Sequence, residues 1–177
     1  MLNTPAKRKP YTDLILQWAE HEHMGDEGRS IVSNMTGIAE ISPDNMPKEF
    51  YSHYKDSTKA AQLIEIIREI DIIISGDSLW SWAHVMRVMI DEKILLDRVS
   101  INHFDTIICG MIPGKGKDNV RKNCTRYPEV VAKGVSYHEW SKYSMNTKHA
   151  TNREICDQIC EKFKPILLRS DDTQQEA

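Results

Sequence analysis

A chain of 177 residues with 40% hydrophobic and 28% charged residues has a globular composition, which excludes a disordered or fibrous protein. This length can bury a core without disulfide or metal crosslinks. The formal net charge is only −3, so the distribution of charge along the chain is more informative than its sum.

The charge falls into unlike blocks. Residues 11–113 contain 8 basic and 17 acidic side chains, whereas residues 114–153 contain 9 basic and 3 acidic side chains. Residues 1–10 are basic and residues 154–177 are acidic. The basic block in the last third is therefore a separate feature of a mostly acidic chain.

No apolar run is long enough for a signal peptide or a membrane span, because the longest, Ile70 to Ile74, is interrupted by Asp71. The four cysteines show no CxxC pair, which favours reduced thiols over a disulfide framework. We therefore expect a soluble protein with no membrane partner, and the cytoplasm is the expected compartment.

In the first half of the chain, apolar residues recur at helical spacing, and polar caps mark the boundaries. The prolines at 43 and 47 predict a loop between the second and third helices. The third helix, opened by Asp56 or Ser57, is the clearest. Its apolar face contains Leu63, Ile66, Ile67, Ile70 and Ile74. The three predicted helices cover residues 12–24, 27–39 and 58–74.

In the second half, a wide apolar stripe from residue 78 to residue 92 predicts a central helix. Ser100 and Asp118 are the expected caps of the two helices that follow, and Ser136 with Glu139 indicates a short helix. Thr151 with Glu154 predicts the start of the last helix. The corresponding ranges are 78–92, 101–111, 119–125, a short helix after 136, and 151–168.

These patterns predict an all-α fold of seven to eight helices in a single domain over residues 11–168. Residues 1–10 and 169–177 are expected to be a flexible basic N-terminus and a flexible polar tail. Weak periodicity in residues 127–150 leaves open whether this region is ordered alone or only on binding.

The basic segment 114–126 carries the most specific functional signal. Its basic residues lie on a glycine-rich loop and on the short helix that comes after it. Such a cluster of cations attracts a phosphate backbone. The order of helices over residues 78–126 resembles a helix-turn-helix unit, with the basic helix in the recognition position. The residues expected to face a nucleic-acid groove are Asn119, Lys122, Asn123 and Arg126, with Lys115 and Lys117 holding phosphates and Arg121 as a further nucleic-acid-binding residue of the cluster. The alternative is an ordinary solvated surface loop.

A phosphate-binding P-loop does not fit this segment. The spacing from Gly110 to Gly116 is one residue too long, and Asp118 stands where the metal-binding Ser or Thr belongs. Nucleotide hydrolysis is therefore not expected.

Metal binding is a weaker interpretation. Cys156 and Cys160 are four residues apart, so one helix would present both sulfurs on one face, and Cys124, His138 or His149 would have to complete a site. Cys160 also adjoins an apolar row, which favours buried cysteines that pack as small hydrophobes. His21 and His23 are two residues apart and point to different sides of a helix. No metal or cofactor is expected, although the sequence does not exclude a meeting of these side chains in space.

No nucleophile elbow, HExxH motif or paired-carboxylate signature is present, and the spacing of His103 and Cys109 does not by itself bring them together. We assign no catalytic residue and favour a protein that is not an enzyme.

Trp80 and Trp82 point to different sides of their predicted helix, so one is expected in the core and the other can anchor a partner. The leading hypothesis is a small nucleic-acid-associated or regulatory protein. The alternative is a protein-interaction module that uses the acidic helices and an exposed tryptophan.

Overall fold

The computed structural model describes residues 38–76, 78–132, 134–142 and 147–167, together with the isolated positions 14 and 17. The helices predicted over 12–24 and 27–39 lie almost entirely outside the described residues. The N-terminus 1–10, the tail 169–177, and His21 and His23 also lie outside them.

Helices make up the regular structure of these described ranges, with no strand among them, which confirms the all-α prediction for this part of the chain. An isolated backbone bridge joins Phe50 to Leu95. Three short 3-10 helices cover Pro43–Asn45, Ser52–Lys55 and Tyr137–Lys142. The α-helices are α1 Ser57–Ser75, α2 Trp82–Asp91, α3 Ile101–Met111, α4 Asn119–Cys124, α5 Pro128–Val131 and α6 Thr147–Phe163. The predicted total of seven to eight helices stays a prediction.

Helix α1 forms where the third helix was predicted. The Asp56 carboxylate accepts hydrogen bonds from the backbone N–H groups of Thr58 and Lys59, which caps the first turn. At the other end, the Gly76 N–H donates to the carbonyl of Ile72. Its buried face consists of Ala60, Leu63, Ile64, Ile67 and Ile70. The isoleucine run is therefore helical rather than extended, because its apolar stripe packs on the core.

Helix α2 begins four residues later than predicted. Ser81 is the N-cap, and its Oγ accepts from the backbone N–H of His84 at 3.4 Å. Residues 78–81 are consequently outside the helix. From Trp82 to Met89 every residue of α2 is buried, which confirms the prediction of a central helix.

Helix α3 has the predicted bounds, and the Ser100 Oγ accepts from the N–H of His103 at 3.2 Å. The segment that begins at residue 38 crosses α3 at Gly110, whose carbonyl accepts from the Ile41 N–H at 2.9 Å. A Cβ on residue 110 would lie 2.7 Å from the Ala39 carbonyl oxygen, so this crossing requires glycine.

After α4, the chain forms the short α5 that the sequence analysis did not anticipate. The capping pattern at Ser136 and Glu139 produces a 3-10 helix rather than an α-helix. Helix α6 begins at Thr147, four residues before the predicted start, and packs mainly against α2. Its buried residues include Ile155, Ile159 and Phe163, as the predicted apolar row requires. Within the described ranges, no helix is both long enough and apolar enough to cross a membrane.

Candidate nucleic-acid interface

The short basic helix α4 is held in place by a buried carboxylate from α3. Asp105 is 2% exposed, and its two oxygens accept from the backbone N–H groups of Asp118 at 3.0 Å and Arg121 at 2.9 Å. Asp118 occupies the predicted cap position with φ of 72°, but its own side chain makes no capping hydrogen bond. The N-terminal amides of α4 are thus satisfied by the protein itself, because a negative charge is favourable at this end of a helix.

Lys115 is engaged within the fold. Its ammonium forms an ion pair with Asp71 of α1 and lies 5.4 Å from the centre of the Trp82 ring. The two paired side chains are 13% and 17% exposed. Lys115 therefore joins the glycine-rich loop to α1 and α2. Its ammonium is partly buried in an ion pair, and is not exposed to solvent as a phosphate contact would require.

Asn123 and Arg121 also have partners. The Asn123 Oδ1 accepts from the backbone N–H of Trp82 at 2.6 Å, so this side chain joins α4 to the start of α2. The Arg121 Nε lies 3.1 Å from the Asp118 carboxylate, and the two side chains are 43% and 44% exposed. Arg121 remains at the surface, with its charge partly balanced by Asp118.

Lys117, Asn119, Lys122 and Arg126 are all exposed. Asn119 and Lys122 are three residues apart on α4 and share a face, whereas Lys117 precedes the helix and Arg126 lies in the turn that follows it. The opposite face of α4 is anchored by Val120 and Cys124, both fully buried. Within the described residues, Lys117, Lys122 and Arg126 form no ion pair. We call the four exposed residues the α4 basic face.

The two tryptophans differ in burial, but they do not lie on one helix as predicted, because Trp80 precedes α2. Trp82 is 2% exposed and packs edge-on against Phe104, so it is a core residue in this conformation. Trp80 is partly buried, and its indole N–H donates to the Gln158 side chain of α6 at 3.1 Å. Beside it, Leu79 is 78% exposed. Trp80 is thus the tryptophan of this pair that reaches the surface.

The cysteines and histidines considered as metal ligands are not gathered. No group of three or more potential ligands occurs in the part of the chain that the structure describes. Cys124 and Cys156 are fully buried, and desolvation by burial raises the pKa of Cys124 to about 12. His138 contacts Glu92 at 2.6 Å, and the side chain of His149 lies outside the described residues.

The structure does not bring His103 and Cys109 together as a nucleophile and base. His103 lies 3.8 Å from Glu49, whereas the Cys109 thiol faces the Gly116 carbonyl at 3.4 Å. Desolvation raises the pKa of Cys109 to about 12, with Asp105 contributing in the same direction. Such a thiol stays protonated near neutral pH and is a poor nucleophile.

A buried polar network, which was not predicted from the sequence, connects Ser81, His84 and Asn152. Ser81 Oγ lies 2.6 Å from His84 Nδ1, and His84 Nε2 lies 3.1 Å from Asn152 Oδ1. Ser81, His84 and Asn152 are 1%, 1% and 7% exposed, so substrate has no access to the serine. Burial lowers the pKa of His84, which keeps the ring neutral. The network joins α2 to α6 and has no feature of a reaction site beyond its residue types.

A second network connects α2 to the segment after α5. Arg87 and Asp91 form an ion pair of 2.9 Å with both side chains 7% exposed. Asp91 also accepts from the Ser136 hydroxyl at 3.1 Å and from the Tyr137 N–H at 2.8 Å. The sequence carried one signal for the pair, the spacing of four between opposite charges on a helix. The contacts of Asp91 with Ser136 and Tyr137, which are about 45 residues further along the chain, could not be predicted from any spacing in the sequence.

A cavity of about 740 Å³ lies between residues 40–43, α1 and the end of α6. It is bordered by Glu40, Glu65, Glu69 and Glu161, with Arg68 and Lys162. This acidic border is unsuited to phosphate, in contrast to the α4 basic face. No protein-family model, curated protein or solved structure matches the chain.

Proposed function

We propose that this protein binds nucleic acid through the α4 basic face, which contacts the phosphate backbone. The observation that carries the proposal is the exposure of Lys117, Lys122 and Arg126 without ion pairs in the described residues. Exposed, unpaired cations on one small surface release counterions when they meet phosphates, and this release drives binding.

The residues of the basic segment have different roles, and this reduces the number that can contact phosphate. Lys115 and Asn123 support the loop and α4 from within the fold, and Arg121 has Asp118 as a neighbour. The contacts to phosphate then fall chiefly on Lys117, Lys122 and Arg126, with Asn119 beside them and Arg121 at the edge.

A helix-turn-helix-like use of residues 78–126 on duplex DNA is one form that this proposal can take. Helix α4 packs against both α2 and α3, and Trp82 of α2 contacts Phe104 of α3. In such a unit the third helix presents its outer face to nucleic acid.

The test is fluorescence-anisotropy titration of labelled DNA, single-stranded and duplex, at salt concentrations between about 50 and 200 mM. The variant Lys117→Ala/Lys122→Ala/Arg126→Ala is expected to weaken binding by about 10-fold or more and to reduce the salt slope by about one per lost phosphate contact.

The matched control is Lys48→Ala/Lys55→Ala/Arg98→Ala, which removes three cations from exposed positions outside the basic segment. Because the net charge changes equally, this control separates a local contact from general attraction. The proposal fails if neither DNA binds at low salt, or if both triple variants weaken binding equally.

A second candidate function, protein interaction, has its own observation. Ile72 and Leu79 are 73% and 78% exposed, which is high for large aliphatic side chains. An apolar interface of this kind would respond little to salt or to loss of the α4 basic face. The same salt series, repeated with any captured partner, therefore discriminates between the two functions.

A further inference from the structure

The segment that carries Trp80 leads into α2, whose first residue is bonded to α4. Trp82 donates its backbone N–H to Asn123 of α4 at 2.6 Å, so the chain entering α2 runs beside the second half of that helix. Trp80 is two residues away, and two residues of chain span at most about 7 Å. Lys122 precedes Asn123 directly, and Arg126 follows it by about one turn.

The Trp80 indole has a fixed orientation. Its N–H is bound to Gln158 at 3.1 Å, and the ring is partly packed on the core. Leu79, which is 78% exposed, adds apolar surface beside it. A ring already held in place loses little conformational entropy when a flat ligand stacks on it.

Helix α4 is poorly suited to reading duplex DNA by itself. Its six residues are only about 9 Å long, and the buried Asp105 carboxylate occupies its N-terminal amides. Recognition helices place their N-terminal residues against base edges in the major groove. A single strand makes no such demand, because its bases expose their faces for stacking.

From this juxtaposition we infer that the surface binds single-stranded nucleic acid, with a base stacked on Trp80 and neighbouring phosphates on Lys122 and Arg126. The inference rests on the proposed function and names its substrate class. Aromatic stacking combined with a cationic track is the usual way in which proteins hold single strands without sequence preference.

The charges on α6 limit the path of the strand. Gln158 lies on α6 between Asp157 and Glu161, whose carboxylates pair with Arg153 and Lys164, so this part of α6 presents balanced charge rather than a cationic track. A strand stacked on Trp80 therefore leaves the ring toward α4 rather than over α6. Lys162 and Lys164 do not reverse this, since they lie near Glu69 and Glu161 respectively.

The experiment compares a labelled oligothymidylate of about 12 nucleotides with a duplex of equal length at one salt concentration. Wild type is expected to bind the single strand about 10-fold more tightly than the duplex. Trp80→Ala should weaken single-strand binding by about 10-fold and leave the salt slope unchanged, because it removes stacking but no phosphate contact. Trp80→Phe, which keeps an aromatic face, should retain most of the affinity.

Tyr51→Ala is the matched control, because it removes a partly buried aromatic ring far along the chain from α4. If Trp80→Ala does not fold, the difference in fluorescence between wild type and Trp80→Phe isolates the Trp80 emission. Oligothymidylate should then quench that emission.

The outcomes separate this inference from the function on which it rests. Failure of both nucleic acids to bind removes both. Equal or tighter binding of the duplex overturns the single-strand inference alone, as does a folded Trp80→Ala with wild-type affinity. The single-strand inference is also overturned if the protein binds oligothymidylate without quenching of the Trp80 fluorescence.

Discussion

Two regions use similar residues in opposite ways. Around α2, polar and charged side chains are buried and bonded to neighbouring segments, as Arg87 is to Ala132, Asp91 to Ser136, and His84 to Asn152. On the α4 basic face, Lys117, Lys122 and Arg126 extend into solvent. Residue type alone therefore does not distinguish a charge that supports the fold from one available to a ligand. The exposure of the side chain and its bonding partners distinguish the two.

The largest expected effect on stability comes from breaking the buried pair. Asp91→Ala leaves the guanidinium of Arg87 without its counterion and removes the acceptor used by Ser136 and Tyr137. Loss of one partner of a buried pair should lower the free energy of unfolding by about 3–5 kcal/mol, measured by urea denaturation. The control is Glu65→Ala, since Glu65 is 69% exposed in its contact with Arg68 and its loss should change stability by about 0–1 kcal/mol. Similar losses in the two variants would contradict the contrast between buried and exposed charges.

The next effect concerns the carboxylate under α4. Asp105→Asn keeps the size of the side chain but turns an acceptor into an NH₂ donor that faces an N–H group. We expect a loss of about 2 kcal/mol in the free energy of unfolding. Asp118→Asn changes a carboxylate at the same end of α4 that makes no capping bond, and should lose much less. If Asp118→Asn is the more damaging variant, Asp105 does not cap α4 as described.

A smaller effect should appear as a pH dependence. Burial lowers the pKa of His84 in the folded state from an ordinary value of 6.5, so the unfolded chain binds the proton more readily. The stabilisation is complete above pH 6.5 and is lost as the pH falls from there toward the folded pKa, at up to about 1.4 kcal/mol per pH unit.

Urea denaturation from pH 7.5 downward, with His84→Gln alongside wild type, measures this slope. The variant should be less stable at neutral pH and lose most of the slope. His53 has the same sign, because burial and Lys59 lower its pKa, but it is less deeply buried. A slope carried by His53→Gln instead would place the effect outside the His84 network.

The smallest effect on stability belongs to the α4 basic face. The triple variant of Lys117, Lys122 and Arg126 should unfold within about 0.5 kcal/mol of wild type per substituted site, because exposed surface side chains contribute little to stability. Thermal unfolding of the binding variants checks this directly. A large loss would mean that these cations support the fold, and a drop in DNA binding would no longer indicate contact.

Several elements were predictable because their signals are local. The Asp56 and Ser100 caps set the starts of α1 and α3. The apolar spacing correctly placed Leu63, Ile67 and Ile70 on the buried face of α1, although Ile66 and Ile74 are only partly buried. The late start of α2 and the early start of α6 were not predictable. Ser78 and Ser81 look alike as caps, and only the packing of Trp82 and His84 in the core favours Ser81.

The helical class of the described part and the basic segment followed from the sequence alone, because they depend on periodicity and on neighbouring residues, whereas the different burial of Trp80 and Trp82 depended on the late start of α2. Only the tertiary structure decided which polar side chains are engaged. Lys115 meets Asp71 across 44 residues, and Asn123 meets the start of α2 across 41 residues. Such partners are chosen by how helices pack, and no spacing in the chain encodes them.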